Sequence, residues 1–196
     1  GAIYGNQPSQ PVPETATPDP NTPYAVSKLA AEYYVRTIGQ LWGIEMVILR
    51  VFNAYGPGQH LPPVHAPVIP AFLRQASLNG TLVVHGDGQQ SRDFIYLEDV
   101  VRGMTAAAVA PEANGQIINL GSGEETTVRQ LLKLAVEVTG GKPEVVYNPR
   151  TEGGPNRLCA DLTRAEELLG FQPQVRLVDG LRLTLEKDRR LLASPS

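Results

Sequence analysis

Short apolar runs that alternate with helical patterns constrain the fold of this chain more than any other feature. Runs with the length and composition of buried strands lie at residues 45–50, 82–85, 117–120 and 144–147, and Ala2-Ile3-Tyr4 is strand-like as well. Stretches of helical period lie at residues 67–76, 98–109, 128–139, 162–169 and 178–192, and a longer one opens near Pro23 and ends at Gly43. This alternation is typical of an α/β protein, so the sequence predicts that class.

The composition fits a globular chain and argues against several partner classes. Of the 196 residues, 42% are hydrophobic, which is enough for a sizeable core. The net charge of -3 offers no attraction to nucleic acid or to an anionic membrane surface. Cys159 is the single cysteine, so no disulfide can form within the chain. That usage fits a reducing cytoplasm, where we expect the protein to act.

Tyr24 and Lys28 form the clearest candidate acid–base pair. A polar cap and a proline at residues 21–23 open the helix that carries them. A spacing of four residues places both side chains on one helix face, one turn apart. An ammonium beside a phenol favours the phenolate, which can take a proton from a sugar or alcohol hydroxyl. The alternative is a helix-start tyrosine beside a solvated lysine, because short motifs often match by chance.

Two loops hold candidate ligand residues. Asn53 lies in a turn-rich loop after the predicted strand 45–50, and ligands of open α/β sheets bind beyond the carboxyl ends of strands. Asn53 could equally be a turn residue that bonds its own backbone. Arg92 offers a rigid two-pronged donor for phosphate, or is a surface or aspartate-paired arginine. Gly121-Ser122-Gly123 lacks the third glycine of a dinucleotide loop, so we interpret it as a turn.

Four motifs occur in order along the chain: Tyr24-x-x-x-Lys28, Arg50-x-Phe52-Asn53-x-Tyr55-Gly56-Pro57, Gly86-Asp87-Gly88-x-x-x-Arg92-Asp93-x-Ile95-Tyr96-x-x-Asp99, and Asn119-Leu120-Gly121-Ser122-Gly123. Together they resemble the extended short-chain dehydrogenases that act on nucleotide sugars, such as the UDP-glucose 4-epimerases. The resemblance covers essentially the whole chain. It implies the later part of a Rossmann-type parallel sheet, from the NAD-binding domain (residues 1–55 and 97–120). A smaller α/β region that binds the nucleotide sugar (56–96 and 121–196) would be interleaved with it.

The resemblance also implies roles for individual residues. Tyr24 would remove a proton from a sugar hydroxyl while NAD takes hydride from its carbon, and Lys28 would bind the nicotinamide ribose. Phe52 resembles a backbone contact of the cofactor. Asn53 and Arg92 resemble the residues that hold the substrate diphosphate.

The resemblance further implies a nucleotide-binding helix that contains Val68. Val83, Val84 and His85 would form the strand beside the base, where His85 departs from a more usual apolar or aromatic residue. The second phosphate-binding arginine is ambiguous, because Arg150 or Arg157 could take its place. No metal ligand is implied.

Two parts of the family pattern are missing from these residues. The glycine-rich cofactor loop does not occur, and the family's catalytic serine or threonine would come immediately before Gly1. We therefore expect the chain to be the C-terminal portion of a longer protein and to be inactive alone.

The residues Gly1 and Ala2 bear on the type of reaction. In the family that the chain resembles, dehydratases and decarboxylases carry an acid at these positions. The 3,5-epimerases and fucose synthases carry a cysteine nearby. With no such group, the resemblance favours 4-epimerisation, in which hydride leaves C4 for NAD and returns to the opposite face. Another nucleotide-sugar dehydratase or 4-keto reductase, or a non-catalytic fragment or binding relative, remains as an alternative. The broad apolar face of the Tyr24 helix, with the resemblance, predicts a homodimer.

Overall fold

The structure, a computed structural model, describes residues 1–61, 67–149 and 156–192. The α-helices in these ranges are α1 Pro23–Trp42, α2 Val68–Ser77, α3 Leu97–Val109, α4 Val128–Thr139, α5 Thr163–Leu169 and α6 Leu177–Lys187. Short 3-10 helices cover Ala2–Tyr4, Pro111–Ala113 and Arg189–Leu191. The strands are β1 Ile48–Val51, β2 Asn53–Tyr55, β3 Thr81–His85, β4 Ser91–Arg92, β5 Phe94–Tyr96, β6 Ile117–Leu120, β7 Thr126–Thr127 and β8 Glu144–Asn148.

Parallel pairing dominates the longer strands. β1 runs parallel to β6, with Ile48 opposite Ile117 and Val51 opposite Leu120. β3 runs parallel to β8 over five residue pairs. Helices follow these strands along the chain, so the predicted α/β class with parallel sheets is confirmed.

The described residues form two compact units, each built from separate chain segments. The first contains residues 1–54, 92–125 and 156–174, and the second contains residues 55–61, 67–91, 126–149 and 175–192. The sequence-based division placed 92–96, 121–125 and 156–174 with the second region. In the structure they belong to the first, because the Asp93 carboxylate accepts hydrogen bonds from Ser122 and Ala160. The assignment of the two parts to cofactor and nucleotide sugar stays a prediction.

Two apolar clusters form the core of the first unit. One surrounds the parallel strands and contains Ile95, Ile118, Leu120 and Phe171. The other lies under the amino-terminal segment and contains Ile3, Tyr4, Val12, Phe52, Leu158 and Ala160. Both clusters join residues more than 75 positions apart, so they fix the carboxyl ends of β1 and β6 in one place.

The predicted bounds of α1 hold because local chemistry sets both ends. Thr22 Oγ1 accepts a hydrogen bond from the Ala25 N–H at 3.1 Å, and Pro23 occupies the first turn. Gly43 ends the helix with φ of 63°, a left-handed conformation that suits glycine. None of the helices in the described ranges is long and apolar enough to cross a membrane.

The last helix, predicted over residues 178–192, ends at Lys187 and is followed by a separate 3-10 helix. Three other local predictions were also wrong. Ala2–Tyr4 forms a 3-10 turn rather than a strand, because the Tyr4 N–H donates to the carbonyl of Gly1 three residues earlier. Asn53 lies in strand β2 rather than in a loop, because its N–H donates to the Asp93 carbonyl. β1 begins at Ile48 rather than at residue 45, since the pairing with β6 starts there.

Candidate active site

A cavity of about 400 Å³ lies in the first unit against one face of α1. Its lining comprises residues 1–3 and 47–51 together with Tyr24, Lys28, Ala31, Glu32 and Val35. The α1 members are three or four residues apart, which is the spacing of one helix face. The predicted acid–base pair therefore faces a pocket.

Tyr24 and Lys28 lie side by side at this cavity. The Lys28 Nζ atom is 5.4 Å from the centre of the Tyr24 ring, within the range of a cation–π contact. Tyr24 is 63% exposed, and Lys28 is also exposed. Both polar groups can therefore reach a ligand without a rearrangement of the core.

Strand β1 leaves one of its edges toward this cavity. The Ile48 N–H donates to Gln116 at 2.9 Å and the Phe52 N–H donates to Leu120 at 2.8 Å, both on the β6 side. In a strand the N–H groups alternate in direction, so those of Leu49 and Val51 point to the other side. Within the described part of the chain, β6 is the only strand that pairs with β1.

Phe52 and Asn53 lie where β1 ends. The Phe52 side chain is buried against Tyr4, with ring centres 6.1 Å apart, so only its backbone could contact a cofactor. The Phe52 N–H is used by Leu120, and the Phe52 carbonyl accepts from Ala54 at 2.8 Å. The carbonyl oxygen thus has one remaining acceptor site, and the predicted contact stays a prediction. Asn53 is exposed on β2.

Arg92 is brought next to Asn53. The Asn53 N–H donates to the carbonyl of Asp93 at 3.0 Å, so the two predicted diphosphate ligands lie on adjacent backbone segments. Arg92 is partly buried, and burial lowers the pKa of its guanidinium below its ordinary value. Because burial removes water from this cation, a bound anion would stabilise its charged form.

Arg157 is already engaged by a carboxylate. Its Nε and Nη2 atoms donate to the two oxygens of Glu125, each at 2.6 Å. This bidentate contact raises the pKa of Arg157, whose side chain is 61% exposed. A phosphate would therefore have to displace Glu125 or bind the guanidinium edge that Glu125 does not use. The alternative arginine, Arg150, lies outside the described residues.

Val68, Val83 and His85 belong to the second unit, whereas the other predicted site residues that the structure describes belong to the first. Val68 is the first residue of α2. Val83 and His85 alternate along β3 with the buried Leu82 and Val84, so both lie on its exposed face. The predicted contacts with the nucleotide stay predictions.

The sequence did not reveal a buried charged network at the wall of the cavity. Arg50 on β1 donates from Nη2 to Glu32 Oε1 at 2.7 Å and from Nε to Glu32 Oε2 at 3.1 Å. Its Nη1 donates to the Tyr4 hydroxyl at 2.8 Å, and that hydroxyl donates to Asn119 Oδ1 at 2.7 Å. Burial raises the pKa of Tyr4, which keeps this hydroxyl protonated. The one signal in the sequence was the position of Glu32, one turn beyond Lys28.

The turn Gly121-Ser122-Gly123 holds a side chain of the protein itself. Asp93 accepts hydrogen bonds from the Ser122 N–H at 2.6 Å, the Ser122 hydroxyl at 2.7 Å and the Gly123 N–H at 3.0 Å. Burial raises the pKa of Asp93, and these hydrogen bonds partly offset that effect. Because the donors of the turn are occupied, it offers no phosphate cradle, in agreement with its interpretation as a turn.

Comparison with known proteins places this geometry in a family. A model described as the NAD dependent epimerase/dehydratase family matches residues 1–121. Among curated relatives, the UDP-glucose 4-epimerase of Mycolicibacterium smegmatis is 34% identical over 186 residues, which are 95% of this chain and 59% of the relative. The relatives also include a UDP-glucuronic acid decarboxylase of Arabidopsis thaliana, 31% identical over 193 residues, which are 96% of this chain and 43% of that protein.

Solved structures agree with the curated relatives. A UDP-glucose 4-epimerase of Thermotoga maritima with UDP-glucose superposes with a TM-score of 0.91 at 38% identity, covering 97% of this chain and 61% of that one. A UDP-glucuronic acid 4-epimerase of Bacillus cereus, in complex with UDP-glucuronic acid and NAD, gives 0.88 at 31% identity, covering 97% and 59%. The chain spans between 55% and 59% of the length of the first curated relatives.

Proposed function

Because the chain belongs to the NAD-dependent epimerase/dehydratase family, we propose that the protein containing it is an NAD-dependent 4-epimerase of UDP-sugars. The observation that carries the proposal is the Tyr24–Lys28 pair, exposed on one face of α1 at a cavity of about 400 Å³. The UDP-sugar substrate class is supported by the UDP-sugars named in the T. maritima and B. cereus structures.

In this mechanism Tyr24 is the base and Lys28 is its electrostatic partner. The Tyr24 hydroxyl, as phenolate, takes the proton from the 4-hydroxyl of the sugar and later returns it. The Lys28 Nζ atom lies 5.4 Å from the centre of the Tyr24 ring, so its positive charge is held beside the proposed base. Their exposure lets both groups touch a sugar and a ribose at the same time.

The cavity residues fit the nicotinamide end of a dinucleotide. Lys28 and Tyr24 place an ammonium and a hydroxyl at the cavity wall, where they would bind ribose hydroxyls, and Phe52 would add a backbone carbonyl contact. NAD, when bound, supplies a reversible hydride acceptor for C4 of the sugar. Small residues at this wall, such as Ala31, leave room for a flat ring.

The remaining predicted residues would hold the rest of the substrate. Asn53 and Arg92 would bind the diphosphate, because an amide and a partly buried guanidinium on adjacent segments suit phosphate oxygens. Arg157 would join them, either after leaving Glu125 or through its Nη1 edge. Val68, Val83 and His85 would contact the nucleotide.

The residues that line the cavity favour epimerisation over dehydration. Dehydration needs an acid to protonate a leaving hydroxyl. Among the described residues that line the cavity, Glu32 is the one acid, and both of its oxygens accept hydrogen bonds from Arg50. Gly1 and Ala2 carry no acid or base. The pair Tyr24 and Lys28 therefore suffices for the proposed chemistry.

The test uses the full-length protein, saturating NAD and UDP-glucose, with products identified by NMR. We expect Tyr24→Phe and Lys28→Ala to lower kcat by roughly 10²- to 10⁴-fold, because general-base catalysis contributes about that much. Tyr33→Phe is the matched control, since Tyr33 is an exposed tyrosine on α1 that does not line the cavity. UDP-galactose formation supports the proposal. Release of CO₂ from UDP-glucuronic acid, or a 4-keto product, would indicate the alternative enzymes, and full turnover by Tyr24→Phe would contradict the mechanism.

We also propose that the protein is a cytoplasmic homodimer. A second face of α1, turned away from the cavity face, exposes large apolar side chains: Val26, Tyr33, Tyr34 and Leu41. The exposed Ile38 and Trp42 lie further round the helix, toward the cavity face. Contiguous exposed apolar surface of this kind commonly marks a protein interface. Packing of this face against its copy would bury it in a two-fold arrangement.

A further inference from the structure

Few residues of helix α1 are fully buried, and the half-buried Leu29 packs against the apolar cluster under the amino-terminal segment. The buried positions of its 20 residues are Ala25, Glu32 and Gly39, spaced seven apart along one line. Ala25 and Gly39 are small, so they permit close approach but offer no shape that resists rotation. A side chain added at Gly39 would lie 2.9 Å from the sulfur of Met46, which shows how close that approach is.

Glu32, in the middle of this line, contacts Arg50 in a way that depends on the orientation of the helix. It meets Arg50 through two hydrogen bonds, at 2.7 Å and 3.1 Å, and their side chains are 8% and 6% exposed. A two-point contact between a planar guanidinium and a planar carboxylate fixes orientation as well as distance. Arg50 is itself held by the Tyr4 hydroxyl at 2.8 Å and the Glu14 carbonyl at 3.1 Å. The Glu32–Arg50 pair therefore fixes α1 against strand β1.

The Glu32–Arg50 pair matters because the acid–base pair lies on the same helix. Tyr24 and Lys28 are two turns and one turn before Glu32. An α-helix with its side chains has a radius of about 5–6 Å, so a rotation of about 20° would move an outer atom by about 2 Å. A misplacement of about 1 Å can cost about 10²-fold in rate.

The Glu32–Arg50 pair also affects the partners that are left for the Lys28 ammonium. Residues four apart on a helix are neighbours, so the Glu32 carboxylate could pair with the Lys28 ammonium. Arg50 on the facing strand takes both carboxylate oxygens instead. The charge of Lys28 is thus left for Tyr24 and the ligand.

We propose that the buried Glu32–Arg50 pair positions the Tyr24–Lys28 acid–base pair by fixing the rotation of α1 against β1. This inference rests on the proposed function. Glu32 and Arg50 are positioning residues, which act through Tyr24 and Lys28 rather than on the substrate.

The test measures kcat, KM, Tm and amide hydrogen exchange of the full-length protein with NAD. Three variants are compared: Glu32→Gln, Arg50→Lys, and the double variant Glu32→Leu/Arg50→Met. Asp99→Asn is the matched control, because Asp99 is a buried carboxylate of the same unit that pairs with Arg102 and does not line the cavity. The double variant replaces the ion pair with apolar side chains, a change that often preserves stability.

For Glu32→Gln and Arg50→Lys we expect kcat to fall by about 10- to 100-fold, with KM for the UDP-sugar changed by less than about threefold. Amide exchange should rise in α1 and stay unchanged in β6. The double variant should recover Tm but not kcat, because Leu and Met lack the two-point geometry of a guanidinium–carboxylate pair. Asp99→Asn should lower Tm and leave kcat unchanged.

Three outcomes would overturn the inference. One is an unchanged kcat in Glu32→Gln, or in Arg50→Lys where the former does not fold. Another is a double variant that recovers both Tm and kcat, since that result assigns the pair to stability alone. The third is equal loss of kcat in Asp99→Asn. Tyr24→Phe is assayed in parallel: its full turnover would overturn the proposed function and this inference together, whereas its loss with active Glu32 variants would overturn this inference alone.

Discussion

At the residue scale, Asp93 shows how one buried carboxylate can join distant parts of the chain. It is fully buried, and it accepts hydrogen bonds from Ser122, Gly123 and Ala160. Donors and acceptor are separated by between 29 and 67 positions. These buried backbone N–H groups need an acceptor, because a buried N–H without one lowers the free energy of unfolding. Asp93 thus holds the ends of β4, β6 and the segment around Ala160 together.

Asp93→Asn should therefore destabilise the protein. The new amide would place a donor against N–H groups that need an acceptor, at a cost of about 1–3 kcal/mol in the free energy of unfolding. Urea denaturation at pH 7 measures the change. Asp87→Asn is the control, because Asp87 is exposed in a turn and bonds the nearby Gln89 N–H. Equal stability of the two variants would contradict the role given to Asp93.

At the element scale, the short helix Arg189–Leu191 is tied to the loop after β2, within the second unit. Asp188 accepts a hydrogen bond from the Gly58 N–H at 2.8 Å and pairs with Arg190 at 2.6 Å. The hydrogen bond from Arg190 is the main cause that lowers the pKa of Asp188, from 3.8 to about 2. Arg190 also donates to the Gln59 carbonyl at 3.1 Å. Two backbone groups of the loop thus depend on this charged pair.

The lowered pKa of Asp188 predicts a pH effect on stability. The unfolded chain binds its proton near pH 3.8 and the folded chain near pH 2, so the contribution is complete above about pH 5 and is lost as pH falls from about 4 to 2. Its size is at most about 2 kcal/mol, and less because Arg190 is half exposed and screened by solvent. Urea unfolding of Asp188→Asn and wild type should differ at pH 5 and converge near pH 2. Asp179→Asn, at an exposed ion pair, is the control, and a constant difference at all pH values would contradict the assignment.

At the scale of the whole molecule, α1 has two exposed faces with different chemistry. One carries Tyr24 and Lys28 at the cavity, and the other carries Tyr34 and Leu41, which are 71% and 75% exposed. The first would be reserved for ligands, and the second would be covered in the proposed homodimer. A change on the second face should therefore alter assembly before it alters chemistry.

Leu41→Glu should convert the dimer to a monomer, because a charge would be buried without a partner at the interface. Light scattering coupled to size exclusion, over a range of concentrations, measures the mass of the full-length protein. Leu78→Glu is the control, since Leu78 is an exposed leucine of the second unit. A monomeric wild type, or an unchanged mass for Leu41→Glu, would contradict the homodimer.

The sequence by itself determined the features that depend on neighbouring residues. Periodicity and end chemistry predicted α1, α3 and α4 to within a residue or two, because caps such as Thr22 and glycines such as Gly43 act locally. The spacing of Tyr24 and Lys28 fixed their shared face for the same reason, and the motif order predicted the family.

Features that depend on contacts across the chain could be identified only from the folded structure. Arg50 and Glu32 are 18 positions apart, and Arg157 and Glu125 are 32 apart. No local pattern marks such partners, since each charged residue could equally face solvent. The grouping of residues 156–174 with the first unit was likewise set by contacts such as Asp93 with Ala160. Local periodicity carries information about which face a residue occupies, whereas its partner is chosen only when distant segments pack together.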